Sequence, residues 1–212
     1  MNVGVLVSGS GTNLQALIDR GNRGELGPAK LTAVGCNVPD CPALSRARAA
    51  GLPTVVIDHR DFPTRIAFDR ALATALRAHQ VDLVVLAGFM RVLSGEFLDA
   101  FPGRVINIHP ALLPAFAGVH AQRQAHEVGV KIAGCTVHFV DGGVDTGPII
   151  AQAAVLVQED DDVEALRARI LAEEHRLLPA VVRAIAERRV VLEDRKVRIL
   201  GASPAGDALR SL

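Results

Sequence analysis

Short apolar runs recur along this chain, most of them separated by just enough residues for one helix: Val3–Val7, Leu31–Cys36, Thr54–Ile57, Asp82–Ala87 and Arg104–His109. The stretches between them carry helical spacing, as in Leu14, Leu17 and Ile18, or Ile66, Leu72 and Leu76. Alternation of strand and helix builds parallel sheets covered by helices on both faces. Strands buried on both faces are apolar at nearly every position, as these runs are. The 212 residues include no Trp or Tyr, so the core must be assembled from Val, Leu, Ile and Ala. The expectation is an α/β fold, a single-domain, Rossmann-like, doubly wound and mostly parallel sheet.

Beyond Pro114 the rhythm changes. A short helix is expected over Ala121–Glu127, and strands over Lys131–Val140 and Ile149–Val157. The link between those strands is too short for a helical crossover, so the sheet should become mixed in its C-terminal half, with antiparallel neighbours. Asp160, Asp161 and Asp162 put negative charge where a long helix would begin, which suits the helix dipole and reads as a cap. Pro179 predicts a kink or break between two helical pieces. Val190–Leu192 and Lys196–Leu200 should pair as a hairpin, leaving a loose tail over 201–212. The pattern holds no internal repeat and no linker.

Composition excludes several classes of function. Lys and Arg total 23 and Asp and Glu also total 23, so no general positive field exists to hold nucleic acid through its phosphates. The chain enters an apolar strand at residue 3, without a basic leader, and no apolar run approaches the roughly 18–20 residues of a membrane span. A cytoplasmic protein is expected. Cys36, Cys41 and Cys135 are odd in number and form no CxxC pair, which supports neither a disulfide framework nor a metal site.

The polar residues that break the apolar pattern are candidates for chemistry. Asn107 and His109 stand two positions apart at the end of a core run, so they project to one face, separated by roughly 6.5–7 Å of rise. Pro110 should end that strand. The carboxyl ends of strands are where open α/β sheets bind ligands, although both residues could instead tie down a turn. Ser8-Gly9-Ser10-Gly11-Thr12-Asn13 follows the first strand and opens a helix, a place for one phosphate group or simply a glycine turn. Leu14 occupies the third glycine position of the dinucleotide fingerprint, and no acidic residue ends the second run. Gly88–Leu93 continues the fourth run into a loop whose apolar side chains must pack on the core or line an apolar pocket. The glycine-rich loop Asp141–Pro148 holds Asp141 and Asp145. A carboxylate beside a histidine favours the imidazolium. An imidazolium and an Asn amide aimed at one oxygen stabilise a tetrahedral acyl-transfer intermediate. No serine elbow accompanies them, so direct transfer between two bound substrates fits better than a covalent intermediate. Spacing alone leaves open whether His109, His120 or His138 meets Asp141 or Asp145.

The segment Asn107-Ile108-His109-Pro110-Ala111-Leu112-Leu113-Pro114, with Asp145-Thr146-Gly147-Pro148 downstream, resembles the catalytic signature of the folate-dependent formyltransferases. The opening Ser8–Gln15, together with Ala87–Arg91 and Glu174-His175, is similar to the branch of that superfamily that formylates glycinamide ribonucleotide in purine synthesis, and the similarity runs from Met1 to about Leu200. The resemblance implies one formyltransferase domain over 1–200, with a phosphate-binding Rossmann-like half over about 1–103 and a folate and catalytic half over about 104–200. It implies 10-formyltetrahydrofolate as cosubstrate, no metal, and a monomer or homodimer. His109 would be general acid and oxyanion donor, Asn107 the second donor, and Asp145 the partner of His109. Gly11, Thr12 and Asn13 would hold the ribonucleotide phosphate, and Leu171 and Glu174 would approach its ribose or glycinamide. Met90, Arg91, Val92 and Leu93, with Asn107 and the loop Asp141, Gly142, Gly143, Val144 and Asp145, would enclose the pterin, and Arg65 would lie towards the folate tail. His120 is a secondary candidate. His138 reads as a satisfied strand histidine, and His126 and His175 as structural or surface. Two alternatives are a formyltetrahydrofolate deformylase-like hydrolase, which shares the central signature, and a non-catalytic nucleotide-binding Rossmann module, which has no use for Asn107, His109 and Asp145 together. A tRNA-directed formyltransferase would call for a further RNA-binding domain and a basic surface.

Overall fold

The computed structural model describes residues 1–201, so the expected tail lies, from residue 202 onward, outside the described residues. Two compact units divide the chain, Met1–Asn107 and Ile108 onward.

The first unit contains β1 (Asn2–Val7), β2 (Lys30–Cys36), β3 (Thr54–Val56) and β4 (Leu83–Leu86), together with most of β5 (Val105–His109). Its helices are α1 (Thr12–Asn22), α2 (Pro42–Ala49), α3 (Arg65–Ala78) and α4 (Gly95–Ala100). β1 pairs in parallel with both β2 and β4, β2 with β3, and β4 with β5. Pro42 sits in the first turn of α2, where its missing N–H costs nothing. Thr64 caps α3 by accepting the Ala67 N–H at 3.1 Å. α4 and a 3-10 turn at His59–Asp61 escaped the sequence pattern, because six residues or fewer are too short to show a helical stripe. Since β1 lies between β2 and β4, the sheet reverses its winding there, and the loops leaving β1 and β4 meet: the Ser8 N–H donates to the Gly88 carbonyl at 3.1 Å.

The second unit holds α5 (Ala121–Val128), β6 (Ile132–Phe139), β7 (Ile149–Leu156), α6 (Val163–Ala186) and the hairpin β8 (Val190–Glu193) with β9 (Lys196–Ile199). β6 and β7 are antiparallel, as the short link required. The seven-stranded sheet runs β3-β2-β1-β4-β5-β6-β7, mostly parallel and mixed at its C-terminal strands, with helices flanking it.

Of the kink or break expected at Pro179, the break is not found. α6 continues through Pro179 for 24 residues and is not split in two. Proline removes one backbone bond, but Leu166, Ile170 and Leu178 before it and Val181 and Val182 after it are all buried. Apolar packing on both sides of the proline, at roughly 1.5–3 kcal/mol for each large side chain, outweighs that single lost bond.

The acidic run before α6 behaves as a cap. Asp162 accepts the Ala165 N–H at 2.7 Å. Asp161 accepts two N–H bonds from the Arg169 guanidinium and one from the Gln158 backbone. The Arg169 hydrogen bonds, ahead of the Gln158 bond, lower its carboxyl to about 2. The folded value is depressed, so this stabilisation is complete above the ordinary carboxylate range, near pH 4, and is lost as pH falls towards 2. Urea unfolding at stepped pH checks this. Asp161→Asn should lower the midpoint above pH 4, and the gap to the parent chain should close by pH 2. A gap that stays constant over that interval would contradict the linkage.

Candidate active site

In the first unit, the loop after β1 is shaped by a close approach. Gly11 has φ 70°, and a Cβ placed on it would stand 2.5 Å from that of Ala43 on α2. Only glycine suits both demands. Thr12 and Asn13 then begin α1, whose N-terminus carries no side-chain cap and no acidic residue in its first turn. The N–H groups of a helix's first turn point out of its positive end, an arrangement suited to a phosphate. Arg46 adds a cation that sequence reasoning missed, with its Nε donating to the Ser10 carbonyl at 2.9 Å. Nothing in the helical pattern of α2 distinguishes Arg46 from a solvated residue.

The loop after β4 divides its apolar residues. Phe89 and Leu93 are buried, while Met90 and Val92 are 70% and 44% exposed. Both ends of the loop are tied down. The Met90 N–H donates to Ser8 Oγ at 2.9 Å, and Ser8 Oγ donates to Asn37 Oδ1 at 2.6 Å. At the other end the Ser94 N–H donates to the fully buried Asp69 at 2.6 Å. Arg91 lies over the Phe68 ring, 5.1 Å from its centroid, a cation–π contact. Asp69 is a second residue that the sequence did not flag, since it occupies an apolar position of the α3 stripe. Arg65 stands exposed at the first position of α3.

In the second unit, two histidines and one backbone N–H gather around one carboxylate. Asp145 Oδ2 accepts the Gly118 N–H at 2.8 Å and lies 3.2 Å from His109 Nδ1. Asp145 Oδ1 is 3.5 Å from His138 Nε2. Of the candidate partners that spacing left open, the structure joins His109 with Asp145 and adds His138. His120, exposed with left-handed backbone just before α5, is not the second histidine at this carboxylate. His138 is satisfied, as expected, with Nδ1 2.8 Å from the Phe139 carbonyl, but Asp145 is among its partners. Burial alone would raise the Asp145 carboxyl. The His138 hydrogen bond, the Gly118 N–H and the charges of His109 and His138 outweigh it, and the group stays below the ordinary carboxylate range. His109 Nε2 lies 2.8 Å from the Phe116 carbonyl. A carbonyl and a carboxylate both only accept, so the ring satisfies both neighbours when each nitrogen carries a proton. That arrangement suits an imidazolium. Asn107 shares β5 with His109 and, by strand alternation, its face.

The loop that delivers Asp145 is folded by its own chain. Asp141 Oδ1 accepts the Gly143 N–H at 3.1 Å and the Thr146 hydroxyl at 2.6 Å, closing an Asx turn over Gly142–Asp145. Asp145 takes a left-handed backbone, φ 54°, which Asp tolerates better than most residues. A Cβ on Gly147 would run into the Phe139 carbonyl oxygen, so the chain returns to β7 only with glycine there. Arg195, in the hairpin turn, donates to the Thr146 carbonyl from outside. Val144 is exposed at the tip. Leu171 and the buried Glu174 lie one helical turn apart on α6. Burial first, and then the Glu174 charge, push the neighbouring Cys135 thiol up to about 12.

The chain is similar to known proteins along most of its length. The formyl transferase family model matches residues 1–182. A phosphoribosylglycinamide formyltransferase of Bacillus subtilis is 41% identical over 181 residues, 85% of this chain and 92% of that protein. The trifunctional purine biosynthetic protein adenosine-3 of Drosophila melanogaster is 52% identical over 178 residues, 84% of this chain, which spans only 13% of that much longer protein. The crystal structure of glycinamide ribonucleotide transformylase 1 from Symbiobacterium toebii superposes with a TM-score of 0.92 at 57% identity, covering 94% of each chain. By the extent of the family match and by these identities, the chain belongs to the formyl transferase family.

Proposed function

We propose that the chain transfers the formyl group of 10-formyltetrahydrofolate to the amine of glycinamide ribonucleotide, a step of purine biosynthesis. The observation that carries this is the His109–Asp145 pair, built into a chain whose full-length relatives are named for that reaction. The amine nitrogen attacks the formyl carbon, and the carbonyl π electrons move to oxygen as a tetrahedral intermediate forms. Collapse of that intermediate breaks the bond to the folate nitrogen, which leaves with a proton, so one proton travels in all from amine to leaving nitrogen. His109, paired with Asp145, would serve as general acid and oxyanion donor, and Asn107 as the second donor. A proton on His109 Nε2 would be directed at the Phe116 carbonyl, 2.8 Å away, and would be the one available for delivery. A relayed water could complete the transfer.

The substrates divide the remaining residues between them. Gly11, Thr12 and Asn13 would hold the ribonucleotide phosphate with the Arg46 cation beside them, and Leu171 and Glu174 would meet its ribose or glycinamide. Exposed Met90 and Val92, together with Arg91 and Leu93 and with Asp141, Gly142, Gly143 and Val144, would enclose the pterin, with Arg65 towards the tail of the folate. No metal is needed, since the imidazolium supplies the electrophile. We place the protein in the cytoplasm.

Purified protein should consume 10-formyltetrahydrofolate only when glycinamide ribonucleotide is supplied. Consumption with water as the sole acceptor would instead favour a deformylase. His109→Ala and Asp145→Ala should each lower turnover by roughly 10²-fold or more, as expected on removing a general acid or the group that holds it charged. Near-normal turnover in His109→Ala would remove the assigned mechanism. Gly147→Ala tests the delivery of Asp145 by the loop. It should lower kcat well below the parent value while leaving the KM for the ribonucleotide within about threefold, because the phosphate loop is untouched. A rise in that KM with kcat preserved would refute this.

A further inference from the structure

The turn from β2 to α2 brings together two thiols that the formyl transfer does not use. Cys36 closes β2, and Cys41 is the residue immediately before α2. Both are free and buried, and their Sγ atoms lie 2.7 Å apart. A disulfide spans about 2.05 Å, so little further approach is needed. Neither backbone is loose. Cys36 pairs with Val7 on one side and Val56 on the other. The Cys41 carbonyl accepts the Leu44 N–H at 3.0 Å, in the first turn of α2. Between them Val38, Pro39 and Asp40 are exposed, with Asp40 at φ 58°, so solvent reaches the tip of the turn while the two sulfurs lie beneath it. Secondary structure on either side has therefore brought a C-x4-C pair into bonding range, although that spacing signals nothing by itself.

We propose that Cys36 and Cys41 are a dithiol–disulfide site whose oxidant is a low-molecular-weight disulfide. One cysteine thiolate attacks a sulfur of the small disulfide, breaking its S–S bond and releasing the first small thiolate. The second cysteine thiolate then attacks the protein sulfur of the mixed disulfide and releases the other. In total, two protein thiols and one small disulfide become one protein disulfide and two small thiols. The two protons lost by the protein are taken up by the leaving thiolates. Burial pushes the Cys36 thiol up to about 12, ahead of its hydrogen bond with Cys41. A thiol so reluctant to ionise attacks slowly and is also a poor leaving group, so the link forms slowly and, once closed, resists reopening. The bond would tie β2 to the start of α2. The loop after β1 leans on that same turn, since the Ala43 N–H donates to the Gly9 carbonyl at 3.1 Å and Gly11 packs against Ala43.

The test is a peptide map. Native protein is incubated with excess oxidised glutathione, acid-quenched, denatured, alkylated and digested with trypsin. Residues 31–46 form one tryptic peptide carrying both cysteines, and Cys135 falls in another. That peptide should lose two hydrogens and take up no alkyl group, whereas Cys36→Ser and Cys41→Ser chains should yield no such species. The oxidised chain should also melt at a higher temperature than the reduced one, as a link formed without distortion restricts the unfolded state. Recovery of the peptide with two alkyl groups overturns the proposal. So does a peptide carrying one glutathione and one alkyl group, and so does an oxidised chain that melts lower than the reduced one.

Discussion

The second unit depends on where the charge of Asp145 is held. A half-buried carboxylate stays ionised only when the groups around it repay the loss of water. Here the repayment comes from three directions: a backbone N–H at Gly118, His138 on β6 and His109 at the end of β5. Each of those elements is thereby fixed in orientation by the same anion. The ring angle of His109 follows from this arrangement, so the electrostatics of Asp145 and the geometry around it cannot be varied independently.

The anion in turn depends on the main chain that delivers it. Asp145 stands in left-handed conformation in a turn closed by Asp141, and the chain leaves that turn through a glycine pressed on the Phe139 carbonyl. Thr146 adds a hydroxyl to the turn and a carbonyl to Arg195. The Asp-Thr-Gly-Pro segment is therefore a small folding problem in its own right, with each residue meeting a different constraint. The first unit solves a parallel problem at Gly11, where helix α2 comes too near for any side chain.

Much of this was legible in the order of residues. The strand–helix alternation, the end of β5 at Pro110, the switch to antiparallel pairing and the helix start at Asp162 follow from local rules, and the structure agrees with each. Asp145 as the partner of His109 came through resemblance; spacing alone left the choice open. Long-range effects were the ones that escaped. Pro179 was expected to kink or break its helix, and the buried faces on both sides keep it unbroken. Asp69 and Arg46 act through contacts 25 and 36 residues away, which no window along the chain can reveal. His138 carried a strand signal and a site contact at once, and only the strand signal is periodic. Cys36 and Cys41 meet because a sheet and a helix hold the two ends of one turn.

The loop after β4 holds a further consequence. With its ends anchored and Phe89 and Leu93 turned inward, Met90 and Val92 have nowhere to retreat and remain in water. A molecule that covers them binds the folded chain and has no comparable surface to grip once the chain opens. Occupancy and conformational stability are then linked by mass action, each tenfold excess of ligand over its dissociation constant adding about 1.4 kcal/mol. A cell short of that ligand would hold a chain that opens more often and is degraded sooner. The supply of a small molecule would thus influence how much of the protein persists as well as how fast it works.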